Sequence, residues 1–443
     1  MKLHATTAIA LLAATAALPA SAQPIKFEMW YGLTGQLGKL TEETCKRFNK
    51  AHSRYDAVCV GQGGYDKAEQ NTIAAYRAKK HPTVVQIYDA GTVNFMLSGA
   101  VKPAVEFAKE YNMPIEWANY VPGIASYYAT SKGEMWSFPF NSSSALMYWN
   151  KADFAKIGKS AAPKTFEEME KDLRALKAAG HACPFTFDFD TWQWMEQFSA
   201  THGIPVATQN NGYDGLNAEV VFNKTKFAEH VKTYKRWHDE GLARINTAQT
   251  GKTIIQAFTD GSCASMLTSV ANHGVVGSTA KQGLDWDVAF LPVYEGTQRK
   301  NSLIGGASMW IMEGKTKPEY EGAAAYLAFL LTPESEEWWS TVTGYIPITK
   351  SGFNYLVDKG FYAKAPFKGR EVAMAQLNAS EITPVTRGIR LGNFTSIRAE
   401  IRSELEAAFT GKKDVQTALD DAAARSNQIL RRFEQTFTGK KLP

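Results

Sequence analysis

The 443-residue sequence is poor in residues that do chemistry: its four cysteines and eight histidines form no C-x-x-C or H-E-x-x-H pattern. Without that spacing there is no sequence basis for a zinc site. A G-x-S-x-G nucleophile elbow is missing, and Gly61-Gln62-Gly63-Gly64 lacks the dinucleotide-binding spacing. Thr250-Gly251-Lys252-Thr253 ends like a phosphate-binding loop, yet Asn246 stands where that loop needs its first glycine. Carboxylates such as Asp188 and Asp190 are close in sequence, but a solvated loop explains them as well as acid–base work does. Long basic runs are also lacking: 49 Lys and Arg against 44 Asp and Glu leave a dispersed +5, with no footprint for nucleic acid. Beyond the amino terminus no stretch reaches the roughly 18 apolar residues of a membrane-spanning helix.

What is present points to an exported, multi-lobed globular protein. Hydrophobic residues make up 44% and charged residues 21%, enough apolar side chain for a buried core. The length exceeds the roughly 250–300 residues at which a single core stops growing, so two or three domains are expected. Met1-Lys2, an apolar run from Ala8 to Leu18 and Ala20-Ser21-Ala22 read as a secretory signal over residues 1–22, cleaved after Ala22. No cysteine lies near that cut, so a free periplasmic protein is expected, not a lipid-anchored one. An oxidising compartment lets the four cysteines pair in any of three ways. Cys45 with Cys59 and Cys183 with Cys263 is preferred, because the first pair links a helix to the next strand and the second closes a larger loop.

Periodicity orders the chain as strand 25–30, helix 34–49, strand 55–60, helix 65–79 and buried strand 83–88, a βαβαβ run that predicts an α/β lobe with a largely parallel sheet. A second α/β lobe opens with the strand 144–149 and the helix from Phe166, where Thr165 and Glu168 resemble a capping box. Further strands are expected at 263–268, 286–290 and 303–312, and helical structure over 395–437 with a break at Gly411. Ser- and Gly-rich junctions at 138–143 and 304–308 fall where one lobe passes to the other. Hydroxyls and bare backbone N–H groups there suit a small anionic ligand. Thr343-Gly344-Tyr345 and the basic residues Arg387, Arg390 and Arg398 add to that pattern.

Six stretches carry a specific resemblance: Gln86–Thr92, Pro139–Ser143, Ile304–Trp310, Thr343–Lys350, Gly388–Asn393 and Asn427–Glu434. In this order, over essentially the whole mature chain, the sequence resembles the periplasmic sn-glycerol-3-phosphate-binding proteins of ABC importers, a branch of the bacterial extracellular solute-binding proteins. The resemblance implies an α/β, two-lobed periplasmic-binding-protein fold, maltose-binding-protein-like, with a ligand cleft between the lobes. The lobes are expected at 23–139 plus 304–336 and at 140–303 plus 337–443. It implies that Ser143, Ser269, Gly306, Tyr345 and Arg398 hold a phosphate, the arginine by two parallel charge-assisted bonds. Tyr65 and Asp89 would meet the glycerol hydroxyls, and Trp192 would pack on the carbon chain. Two positions depart from the pattern: Asp89 replaces the usual glutamate, and Phe189 falls at a family tryptophan, which would put it near the cleft.

The implied function is capture of sn-glycerol-3-phosphate, or glycerophosphodiesters such as glycerophosphocholine, by hinge closure of a monomer and delivery to inner-membrane permease subunits with their ATPase. No cofactor, no metal and no enzymatic activity are expected of the chain itself. The alternative is a binding protein for an oligosaccharide or another polyol, which the 12% aromatic content would also suit.

Overall fold

The structure, a computed structural model, describes residues 23–443. The expected signal segment and its cleavage point after Ala22 lie outside the described residues. Two sheets organise the rest. The first is built from β1 (Ile25–Tyr31), β2 (Tyr55–Gly61), β3 (Val84–Tyr88), β4 (Val101–Lys102), β5 (Phe138–Ser143) and, from far along the chain, β11 (Gly305–Met312). The second contains β6 (Ala145–Asn150), β7 (Phe185–Phe187), β8 (Ala243–Ile245), β9 (Ser265–Ser269) and β10 (Trp286–Ala289).

In the first sheet β1 pairs in parallel with β2 and β3, as a right-handed βαβαβ run requires. Strand β3 (VVQIY) pairs with β1 on one edge and the antiparallel β11 on the other, and it is buried along its whole length because both faces are covered: Val84 packs in one apolar cluster, Val85 and Ile87 with Phe95 and Met96 in another. Such a strand reads as a continuous apolar run, not an alternating one. Its one polar side chain, Gln86, accepts from the Gly32 N–H at 2.8 Å and donates to the Asn141 side chain at 2.7 Å, so the burial leaves no amide unpaired. The disulfide Cys45–Cys59 ties the helix Gly35–Ala51 to β2.

The second sheet is mixed: β6 lies antiparallel between β9 and β10, while β7 runs parallel to β8 and β9. Cys183–Cys263 joins the segments leading into β7 and β9. The helix Phe166–Ala178 starts at Thr165, whose hydroxyl accepts from the Glu168 N–H at 3.1 Å. The expected capping box is only half formed, because Glu168 reaches back one residue further and accepts from the Lys164 N–H at 2.7 Å. Helices Phe394–Phe409 and Val415–Thr436 pack on each other across the expected break at Gly411. They close the second lobe's core with Phe222, Phe227 and Trp194.

The chain crosses between the sheets at Ser144, where β5 gives way to β6, and at Leu303–Ile304, just before β11. The helix Pro333–Val342 lies further along the chain. There the buried Glu336 carboxylate accepts from the backbone N–H of Ile348 (3.1 Å) and Thr349 (3.3 Å) and from the Thr349 hydroxyl (2.7 Å). Ile346 bridges to Ser142, so the segment carrying Tyr345 is pinned against the end of β5.

Candidate binding cleft

The ends of β3, β5, β9 and β11 open into one cleft between the two sheets, with a cavity of about 460 Å³. All eight residues named from the sequence line it: Tyr65, Asp89, Ser143, Trp192, Ser269, Gly306, Tyr345 and Arg398. They come from eight separate places in the chain, and each is held by its own local cause.

Gly306 sits at φ +119°, and a Cβ there would fall 1.8 Å from the Asn141 carbonyl oxygen. Only glycine lets β11 approach β5 so closely at the cleft floor. Its neighbour Gly305 leaves room for the Trp192 ring, whose indole N–H donates to the Ile304 carbonyl at 3.3 Å. Ser143 ends β5 with its hydroxyl 3.4 Å from the Gly305 carbonyl. Ser269 ends β9 and caps the turn that follows, accepting from the Ala271 N–H at 3.1 Å. Tyr65 stacks on Tyr88 with centroids 5.2 Å apart, and its hydroxyl accepts from the Asn141 amide at 2.8 Å. The Gly32–Gln86–Asn141–Tyr65 relay thus carries the order of the buried β3 to a tyrosine in the cleft. Tyr345 lies parallel to Trp339 at 5.8 Å, which in turn stacks on Phe140 at 4.8 Å.

Arg398 projects from the helix Phe394–Phe409, and its surroundings alter the expected phosphate grip. Its Nε and Nη2 donate to the two oxygens of Glu196 at 2.7 Å each. Nη2 also approaches Asp89 Oδ1 at 2.8 Å, without the alignment of a good hydrogen bond. The Nε/Nη2 edge of the guanidinium is therefore taken by Glu196, which leaves the Nη1 side of the group to face a ligand. Burial raises the Asp89 carboxyl above the usual carboxylate range, against the opposing pull of Arg398. The same burial raises Glu196 to about 7, again opposed by Arg398.

Phe189 does not line the cleft: it packs against Trp194 and Phe409 in the second lobe's core, so its substitution for a tryptophan is a matter of packing. Arg387 and Arg390 are also removed from the cleft; both lie over the Tyr213 ring at 4.1 Å, and Arg390 donates to the Tyr127 and Ala129 carbonyls. Asp190 caps the turn at Trp192, accepting from its N–H at 3.0 Å, so the Asp188/Asp190 pair has a structural task. Sequence reasoning overlooked Glu196 and Asn141. The signal for Glu196 was an acidic residue inside the aromatic run Trp192–Phe198, a burial that demands a cation from elsewhere in the fold.

Comparisons with known proteins agree with this architecture. A family model described as "Bacterial extracellular solute-binding protein" matches residues 43–366. The sn-glycerol-3-phosphate-binding periplasmic protein UgpB of Yersinia enterocolitica is 37% identical over 432 residues, covering 96% of this chain and 97% of that protein. Its counterpart from Escherichia coli O1:K1 is 36% identical over the same share of each chain. Among solved structures, UgpB from Mycobacterium tuberculosis in complex with glycerophosphocholine superposes with a TM-score of 0.75 at 21% identity, over 93% of this chain and 99% of that one. The sugar-binding protein MalE from Xanthomonas citri gives 0.73 at 17% identity, over 94% and 100%. With the family model spanning most of the chain and curated relatives aligned nearly end to end, this chain belongs to the bacterial extracellular solute-binding protein family.

Proposed function

We propose that this protein is the periplasmic solute-binding component of an ABC importer and that it captures sn-glycerol-3-phosphate and its glycerophosphodiesters. The observation that carries the reading is the convergence of Ser143, Ser269, Gly306 and Tyr345 on one cleft floor, beside Tyr65, Asp89, Trp192 and Arg398. Three hydroxyls and a backbone N–H can surround a phosphate without bringing side-chain bulk. The glycerol part would lie along Trp192 with its hydroxyls towards Tyr65 and Asp89, an aromatic wall beside a few directed polar groups. In this reading the cation next to the phosphate is Arg398, and the neutral donors are Ser143, Ser269, Tyr345 and the Gly306 N–H.

The cleft walls come from both sides: Gly306 in β11 belongs to the first sheet and Asp89 follows its strand β3, while Ser269 in β9 belongs to the second. We place the change of lobe at Ser144 and at Ile304, where the chain leaves one sheet for the other. A ligand touching both walls favours the closed arrangement by the difference in its affinity for the closed and open states. A permease with its own ATPase subunits would then recognise the closed monomer and take the ligand. No step in that cycle asks the chain to make or break a covalent bond.

Calorimetry of the mature protein tests the reading. Heat of binding with sn-glycerol-3-phosphate and glycerophosphocholine, none with maltose, and a smaller radius of gyration by small-angle scattering when ligand is added are the expected results. Binding of maltose with no response to either phosphate ester would replace this reading with the oligosaccharide one.

A further inference from the structure

An anion entering this cleft meets a cation whose charge is already exceeded. Arg398 is the partner of two carboxylates at once, Glu196 with 1% of its side chain exposed and Asp89 with 4%. When both are ionised, the three groups together carry one net negative charge. The neighbours do not restore the balance. Glu196 faces Arg398 on the helix Phe394–Phe409, Asp89 beyond β3, Asp190 before its own helical turn and Tyr127 on the helix Pro122–Tyr128. Of these only Arg398 is cationic. Around the cavity itself stand Asp66, Asp89 and Asp190 against Arg398 and Arg402.

We propose that Glu196 couples ligand capture to proton uptake: when a phosphate enters beside Arg398, the Glu196–Asp89 pair takes one proton from solvent and sheds its surplus charge. The proton belongs to the pair, since two carboxylates sharing one guanidinium titrate together. Burial already holds Glu196 at about 7, and Asp89 is raised by the same cause. A negative charge brought into contact raises both further, so the bound state holds more protons than the free state around neutral pH. Affinity therefore rises as pH falls. A doubly charged monoester meets more opposition from the pair than a singly charged diester does. In this way Glu196, which lies behind the cleft wall, also sets how the site discriminates ligand charge.

The inference rests on the phosphate-ester reading, and its test separates the two. Glycerophosphocholine has no proton to gain or lose near neutrality, so a proton taken up during its binding comes to the protein. Titrations of the mature protein at pH 7.5 in two buffers of different ionisation enthalpy should give different apparent enthalpies, corresponding to uptake of up to one proton. Affinity for the same diester should fall by about three- to tenfold from pH 6 to pH 8. Glu196→Gln keeps the shape of the side chain while removing its charge. It should abolish most of the uptake and the pH slope, and raise affinity for sn-glycerol-3-phosphate at pH 8 more than for the diester. Binding by the unmodified protein without proton uptake overturns the role of Glu196 and leaves the ligand reading standing; so does equal uptake by Glu196→Gln. No binding of either ester by the unmodified protein overturns the ligand reading and this inference with it.

Discussion

Arg398 shows how much one side chain can be asked to do. It bridges Glu196 and Asp89, and lies 4.9 Å from the Phe394 ring, so its charge is desolvated on several sides. Removing one partner from a buried ion cluster costs far more than the cluster contributes, because the remaining charges have lost both water and counter-ion. Arg398→Ala leaves two carboxylates in that position. A loss of about 3–5 kcal/mol in urea denaturation at pH 7.5 is expected, shrinking towards pH 5 as the carboxylates protonate. An equal loss at both pH values would show that packing, not charge, dominates. Arg398→Lys should recover only part of it, since an ammonium cannot reproduce the paired Nε and Nη2 bonds to Glu196. Asp89, one methylene shorter than the glutamate of the family pattern, belongs to the same account: its carboxylate lies 2.8 Å from Arg398 Nη2.

At the scale of elements, polar ties decide how helices meet. Glu170 on the helix Phe166–Ala178 accepts from Arg236 and from the Trp237 indole at 2.9 Å, both on the helix Lys226–Asp239. These bonds hold the Glu170 carboxyl down at about 2, with Arg236 the leading cause. A depressed carboxyl pKa adds stability that is fully present above the unfolded value near 4.5 and is lost as pH falls through about 2. Glu170→Gln is therefore expected to cost about 2 kcal/mol at pH 7 and almost nothing near pH 2, as read by denaturant midpoints. A cost independent of pH would assign the effect to lost packing. Elements also differ in how legible they are. The apolar β3 and β6 and the capped helix Phe166–Ala178 follow from local pattern. Strand β5 (FPFNSS) does not, since Pro139 removes one ladder donor and Asn141-Ser142-Ser143 look like a turn. Its strand character comes from β11, more than 160 residues later, with which it pairs around a register shift beside Ala307. The short β4, β7 and β8 carry too few residues for any periodicity to show.

For the whole molecule, the two disulfides close loops of very different length. Cys45–Cys59 spans 14 residues and Cys183–Cys263 spans 80. Loop-closure entropy in the unfolded chain grows slowly with length, so the longer loop is expected to contribute about 4 kcal/mol and the shorter about 3. Replacing each pair by alanines and comparing urea midpoints checks the ranking; a larger loss for Cys45–Cys59 would show that native packing outweighs the chain entropy.

The sequence by itself determined the two-lobed α/β class, the cysteine pairing preferred on local grounds, and the set of residues that meet at the cleft. The α/β character rests on strand and helix periods and the cysteine pairing on local spacing, while the two-lobed class and the cleft residues rest on the six stretches that resemble a known family. Tertiary structure alone decided the charge of the site. Glu196, Asp89 and Arg398 are separated by hundreds of positions, and whether an arginine is free for a phosphate depends on which carboxylates share its burial. The family resemblance also suggested Phe189 for the cleft, and local pattern suggested Arg387 and Arg390 for its basic lining; packing took all three elsewhere. Desolvation is the physical reason: it acts through the whole surrounding volume, which no stretch of sequence contains.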